Sequence, residues 1–301
     1  MYYIGLPDRA GRFFYFQDMI RFAVQSKGRL NEESLKLLKD SGIDVDDTKR
    51  KFIGKASDFP LELLYLRDDD IPGVVAGGSA DIGIVGFNEI AESGADVDVV
   101  RRLGFGKCRL SLAIPKNADY NGLEWFEGRS IATSYPSILR RFLQGKGISS
   151  SVREIRGSVE IAPAAGIAYS IFDIVSSGGT LVSNGLKEVE SVLESEAVLI
   201  CRKDLPEDLK PVLDSILFRF DAVQESRGKK YVLMNIPTGR LSEAMSLLPS
   251  MRSPTVMPLA IEGWSSIHTV VDDSTLWETV ERLKRIGAEG ILILNVDKVI
   301  D

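Results

Sequence analysis

Residues 176–180 read Ser-Ser-Gly-Gly-Thr, which puts three hydroxyls and two glycines into one short turn. They follow an apolar run, Ile171 to Val175, that reads as a buried strand, and they open what reads as the next helix. Turned backbone N–H groups, hydroxyls and a helix N-terminus at one point make a seat for phosphate. Asp173 lies inside the strand and Glu160 lies upstream of it. An acid beside a phosphate seat is placed to meet sugar hydroxyls or a bound Mg2+, so the segment as a whole suggests a phosphorylated sugar. Taken alone, Ser-Gly-Gly-Thr fits a tight turn with a helix cap more readily.

Strand and helix patterns alternate around this segment. Ile20 to Gln25 reads as a strand leading into Ser26-Lys27-Gly28-Arg29, then a helix capped by Asn31 and stopped by Gly42. Leu61 to Leu66 is a strand closing on Arg67-Asp68-Asp69-Asp70-Ile71-Pro72, and Asp81 to Gly86 is a buried strand. That alternation predicts an α/β fold with a largely parallel sheet. A long apolar strand from Cys108 to Ile114 precedes a crossing into a second lobe. There Ser130 to Thr133 is a strand, and a helix with Pro136 in its first turn runs through Gln144. Glu196 to Arg202 reads as the strand returning to the first lobe. The expected division is 19–113 with 196–227 for lobe one and 114–195 for lobe two, with a ligand cleft between them.

A long amphipathic helix is expected over 206–227, with Leu209, Leu213, Ile216, Phe220 and Val223 on one face. Residues 228–301 then follow the order β-α-β-β-α-β, a self-contained ferredoxin-like module. Residues 1–18 fit none of this; Phe14-Tyr15-Phe16-Gln17 resembles the end of an expression-tag protease site. They read as a tag-derived or disordered leader without the apolar core of a secretory signal.

Composition narrows the function classes. The 301 residues suit two or three domains, with 44% hydrophobic and 27% charged residues. A net charge of −6 argues against general nucleic-acid binding. No apolar run is long enough to span a membrane. Cys108 and Cys201 lack metal-ligand spacing and read as reduced thiols of a cytoplasmic protein.

The motifs carry a resemblance as well. Glu160, Gly166, Ala168, Ile171, Asp173, Ile174, Ser177, Gly178, Thr180 and Leu181 match the signature of the ATP phosphoribosyltransferase family at every constrained position. Gln25 to Arg29, Leu66 to Pro72, Asp81 to Gly86, Arg101 to Leu112, Ala132 to Pro136 and Ser253 to Leu259 are similar to further family stretches, in order, from Met19 to the C-terminus. The chain resembles the family's long form. That implies a two-lobed, periplasmic-binding-protein-like (type II) α/β catalytic core with a C-terminal ferredoxin-like regulatory domain.

The implied reaction joins N1 of ATP to C1 of phosphoribosyl pyrophosphate and releases pyrophosphate, the first step of L-histidine biosynthesis. Departure of pyrophosphate from an oxocarbenium-like sugar calls for Mg2+, cations near phosphates and anions near the sugar. Adenine N1 already carries a lone pair and needs no strong base; His268, the one histidine, lies in the tail. The resemblance assigns Ser176, Ser177, Gly178, Gly179 and Thr180 to the 5′-phosphate, and Glu160 and Asp173 to the ribose hydroxyls or Mg2+. Lys27 and Arg29 are candidates for polyphosphate, with solvated surface charge as the other reading. Arg67 is the better ligand of its cluster, Asp68 and Asp69 reading equally as helix caps. Tyr135 reads as an adenine-stacking ring or as core. The tail implies feedback inhibition by L-histidine in a hexamer, with Asn235, Thr255 and Met257 at the pocket positions; some relatives carry an acid at the place of Asn235. A solute receptor and a purely regulatory protein with a degenerate core are the competing readings. The intact acids and the phosphate turn oppose both.

Overall fold

The computed structural model describes residues 5–7, 13–15, 19–45, 52–248 and 253–300. The chain divides into two compact units, 1–217 and 218–301. Within the leader, Gly5–Pro7 and Phe13–Tyr15 pair antiparallel; the remainder of that expectation lies outside the described residues. No helix among the described residues is long and apolar enough to cross a membrane.

The first unit is built on two sheets. Six strands form the first, in the order Ile53–Lys55, Leu61–Leu66, Ile20–Gln25, Ile82–Gly86, Ala197–Arg202 and Val97–Arg102. Five form the second: Ser151–Glu154, Ser130–Thr133, Ser170–Val175, Cys108–Pro115 and Leu186–Ser195. The chain therefore crosses between sheets twice, the periplasmic-binding-protein arrangement. Each sheet is mixed rather than largely parallel. Ile20–Gln25 runs parallel to Leu61–Leu66 and Ile82–Gly86, whereas Ala197–Arg202 is antiparallel to both its neighbours. In the second sheet Ser170–Val175 is parallel to Ser130–Thr133 and antiparallel to Cys108–Pro115. A strand arriving from the other lobe is not held to the parallel direction that a helical crossover imposes.

Two boundaries differ from expectation. Cys108–Pro115 belongs wholly to the second sheet, so the first crossing falls within 103–107 rather than after 113. The amphipathic helix spans Lys210–Ser226 and starts later than 206, because Pro211 is tolerated only in a first turn. The division between the two units falls inside this helix.

Buried apolar residues follow the strand period. Leu110, Leu112 and Phe172 lie on one side of the second sheet with Ile138, Leu139 and Leu143 of the Pro136–Lys146 helix. Ala113, Ile171 and Val175 lie on the other with Leu181 and Leu186. In the first lobe, a Cβ at Gly83 would sit 2.9 Å from Ile71 Cγ2, so this glycine serves close packing rather than a ligand.

The second unit carries a four-stranded antiparallel sheet in the order Thr255–Pro258, Trp264–Asp272, Lys229–Pro237 and Glu289–Asn295. Helices Leu241–Leu247 and Leu276–Arg285 supply Ala244, Leu276 and Leu283 to a core with Val232, Met234, Ile236 and Ile267. This is the expected ferredoxin-like βαββαβ module.

Candidate active site

Parallel strands of each sheet end at loops that carry the candidate ligands, as open α/β sheets generally do. In the first lobe, Gln25 is paired with Leu66, and the Ser26 N–H donates to the Leu66 carbonyl at 2.7 Å. Lys27 and Arg29 follow one strand and Arg67 the other; all three are exposed. Arg29 also donates through Nε to Glu33 Oε1 at 3.0 Å. Its helix starts at Arg29 after Gly28, whose φ of 94° favours glycine, and the expected cap Asn31 instead donates back to the Gln25 carbonyl at 2.5 Å. Asp68 accepts from Gln25 Nε2 at 3.2 Å and so ties the two strand ends together.

In the second lobe, Ser170–Val175 ends directly in the exposed turn 176–180. Gly178 takes a φ of 79°, and no heavy atom lies within 4 Å of where its Cβ would stand. The space over Gly178 is therefore open. The Ser177 and Thr180 hydroxyls have no hydrogen-bond partner among the described residues. The following helix, Gly179–Ser183, has five residues. A helix this short contributes little dipole, so what the segment offers an anion is its turn amides and hydroxyls rather than the expected helix end.

Glu160 lies near enough to Asp173 for its charge to act on the Asp173 carboxyl. The Asp173 carboxyl is raised to about 6, chiefly by burial; the Ile174 N–H opposes the rise and the nearby Glu160 charge adds to it. Glu160 sits in a short 3-10 turn after Ser158, which holds a positive φ of 49°. An acid whose charge is uncompensated by protein cations suits a partner that brings positive charge, such as a metal or an oxocarbenium-like sugar. Among the described residues no three of His, Cys, Asp and Glu form a metal cluster. Two carboxylates with the remainder of the shell from substrate oxygens and water are nevertheless what Mg2+ commonly takes.

Tyr135 corrects one reading. The residue is 8% exposed and belongs to the second-lobe core, leaving too little surface for a base to stack on. Its hydroxyl instead donates across the lobes to Glu89 Oε1 at 2.9 Å, and Asn88 Nδ2 donates to the Tyr135 oxygen at 3.2 Å. Glu92, on the same Phe87–Ser93 helix, accepts from the Ser137 and Ile138 amides at 2.8 and 2.9 Å. It caps the Pro136–Lys146 helix from the opposite lobe. Burial raises the Glu89 carboxyl to about 7; the Tyr135 bond opposes the rise, while Asp68, Asp69 and Glu92 add to it. Sequence reasoning passed over Asn88, Glu89 and Glu92. The available signal was their place just after Ile82–Gly86, a strand parallel to Ile20–Gln25.

In the tail, Met257 pairs with Ser266, which pairs with Asn235; Thr255 pairs with His268. Residues directly opposite in an antiparallel ladder share a face, so Asn235, Thr255 and Met257 share one side of the sheet. His268 is held there by the Tyr231 hydroxyl, 2.7 Å from Nδ1, and by Ser266 Oγ, 3.2 Å from Nε2.

Together, the sheet orders and the open turn define a two-lobed α/β core of the periplasmic-binding-protein class with a ferredoxin-like tail. Comparison with known proteins narrows the class. The family model for HisG, ATP phosphoribosyltransferase, matches residues 67–222, and the model for the HisG C-terminal domain matches residues 226–298. An ATP phosphoribosyltransferase of Phocaeicola vulgatus is 59% identical over 282 residues, covering 94% of this chain and 100% of the relative. One of Bacteroides thetaiotaomicron is 55% identical with the same coverage. Among solved structures, a chain of the HisG:HisZ ATP phosphoribosyl transferase complex of Thermotoga maritima superposes with a TM-score of 0.58 at 25% identity, covering 67% of this chain and 98% of that one. The chain belongs to the ATP phosphoribosyltransferase family, in the long form with a C-terminal domain. It is a pentosyltransferase that joins ATP to phosphoribosyl pyrophosphate in the first step of histidine biosynthesis, a metal-dependent reaction.

Proposed function

We propose that residues 176–180 hold the 5′-phosphate of phosphoribosyl pyrophosphate while Glu160 and Asp173 hold its ribose. The observation that carries this reading is the open, exposed turn at the end of the strand that bears Asp173, with Glu160 near enough to raise the Asp173 carboxyl. The turn fixes one end of the sugar and the acids fix the ring, which aligns C1 for attack by adenine N1. As the bond from C1 to the pyrophosphate oxygen breaks, positive charge develops on the ring, the leaving pyrophosphate takes the electron pair, and the two carboxylates stabilise the ring. Mg2+ is the metal; Glu160 and Asp173 would hold it, and when bound it would neutralise charge on the leaving pyrophosphate.

Lys27, Arg29 and Arg67 meet the polyphosphate of ATP or the leaving pyrophosphate from the first lobe. L-histidine binds the tail near Asn235, Thr255 and Met257 and inhibits by favouring one quaternary state of a hexamer, since an effector shifts only states that it binds unequally. The enzyme works in the cytoplasm. Replacing Asp173 by Ala tests the core of the reading: kcat should fall by roughly 10²-fold or more, the scale of a lost transition-state contact. Near-normal turnover of Asp173→Ala refutes the assignment.

A further inference from the structure

A sugar 5-phosphate carries close to two negative charges at neutral pH, yet the turn 176–180 contains no cationic side chain. A cation reaches the turn from the adjacent strand. Arg109 lies directly opposite Val175, the last strand residue before the turn, and Arg109 Nη1 donates to the Ser176 carbonyl at 3.4 Å. The remaining fork of the guanidinium is fixed from a third strand. Nε and Nη2 donate to the two Glu188 oxygens, each at 2.5 Å, and Ser111 Oγ donates to Glu188 Oε1 at 2.7 Å. Ser111 is paired with Asp173 in the same ladder, so Arg109, Ser111, Asp173 and Val175 share one face of the sheet. The Arg109 side chain remains 32% exposed.

A cross-strand ion pair of this exposure contributes little to stability. Its two-pronged geometry acts on direction instead: a bidentate carboxylate holds a guanidinium in one orientation. We propose that Arg109 is a positioning residue for the phosphorylated sugar, anchoring the turn through the Ser176 carbonyl and setting a fixed positive charge beside the phosphate, with Glu188 orienting it. This rests on the reading of 176–180 as the phosphate seat.

Calorimetric titration with ribose 5-phosphate, with ribose as the uncharged control, tests the proposal alongside steady-state kinetics. Arg109→Met should weaken ribose 5-phosphate binding and raise KM for phosphoribosyl pyrophosphate by about tenfold or more, the scale of a charged hydrogen bond. KM for ATP should stay within about twofold, because the turn serves the sugar donor. Arg109→Lys should recover part of the loss, since it keeps the charge without the fork. Glu188→Gln should lose less than Arg109→Met, because it loosens the orientation but leaves the cation. If Arg109→Met does not fold, those two variants carry the comparison. Wild-type binding of ribose 5-phosphate by Arg109→Met, a parallel rise in both KM values, or Glu188→Gln as damaging as Arg109→Met overturns the proposal. Gly178→Val separates the two levels of argument. If that variant loses ribose 5-phosphate and the Arg109 variants do not, only the role of Arg109 fails; if it binds normally, the phosphate seat itself is wrong.

Discussion

Replacing Glu89 by Gln should make the first unit more stable at pH 8 and leave it nearly unchanged at pH 4.5. Burial lifts this carboxyl from its ordinary 4.5 to about 7, so the folded chain binds a proton there more tightly than the unfolded chain does. Between those two values the native state holds more protons, and wild-type stability therefore falls as pH rises. The fall begins near the unfolded value and is complete above the folded one. At 1.36 kcal/mol per pH unit the penalty above pH 7 is about 3 kcal/mol. Gln keeps an oxygen to accept from the Tyr135 hydroxyl and never ionises, so it escapes the penalty. The assay is urea unfolding from pH 4.5 to 8.5, followed by Trp125 fluorescence with Trp264 and Trp277 of the second unit replaced by Phe in both proteins. Glu89→Gln should match wild type at the acid end and gain up to about 3 kcal/mol at the alkaline end. A difference that is flat with pH, or a loss at pH 8, refutes the argument that Glu89 is a buried acid whose charge is under-compensated.

Two further outcomes are expected. Glu92→Ala removes two amide caps from the Pro136–Lys146 helix and should lower first-unit stability by about 1–2 kcal/mol, an effect read from urea midpoints; a change within error shows that the capping pair contributes nothing. Removing residues 228–301 should leave an enzyme whose turnover no longer responds to L-histidine; persistent inhibition assigns regulation to the core instead.

Local patterns carried much of the architecture. The turn after Val175 and its acids were legible because strand, turn and carboxylates lie within about twenty consecutive residues, and the βαββαβ tail because its strands and helices keep clean periods. Leu186–Ser195 was not legible: register shifts between Glu188 and Glu190 and between Ser191 and Leu193 break its alternation, and its acids read as surface charge. Tyr135 was open to two readings because a ring at a helix start looks the same in sequence whether it faces a ligand or a core. Its burial in the second-lobe core and its bond to Glu89, 46 residues away, decide it. The bond from Arg109 to the turn, with Glu188 behind it, was equally hidden, since Arg109 and Glu188 lie 79 residues apart on two paired strands and Arg109 meets the turn only through a second pairing. The crossing into the second lobe was misplaced for a related reason. An apolar strand of Cys108–Pro115 type suits the centre of either sheet, and sequence alone does not say which neighbours it finds.

The proposed chemistry depends most on the turn 176–180 receiving the sugar phosphate. Hydrogen–deuterium exchange of the wild-type enzyme with Mg2+ tests this directly, with and without phosphoribosyl pyrophosphate. The donor should slow exchange of the amides from Ser177 to Leu181, and ribose without its phosphate should not. Unchanged exchange across that segment at saturating donor, with protection elsewhere, contradicts it.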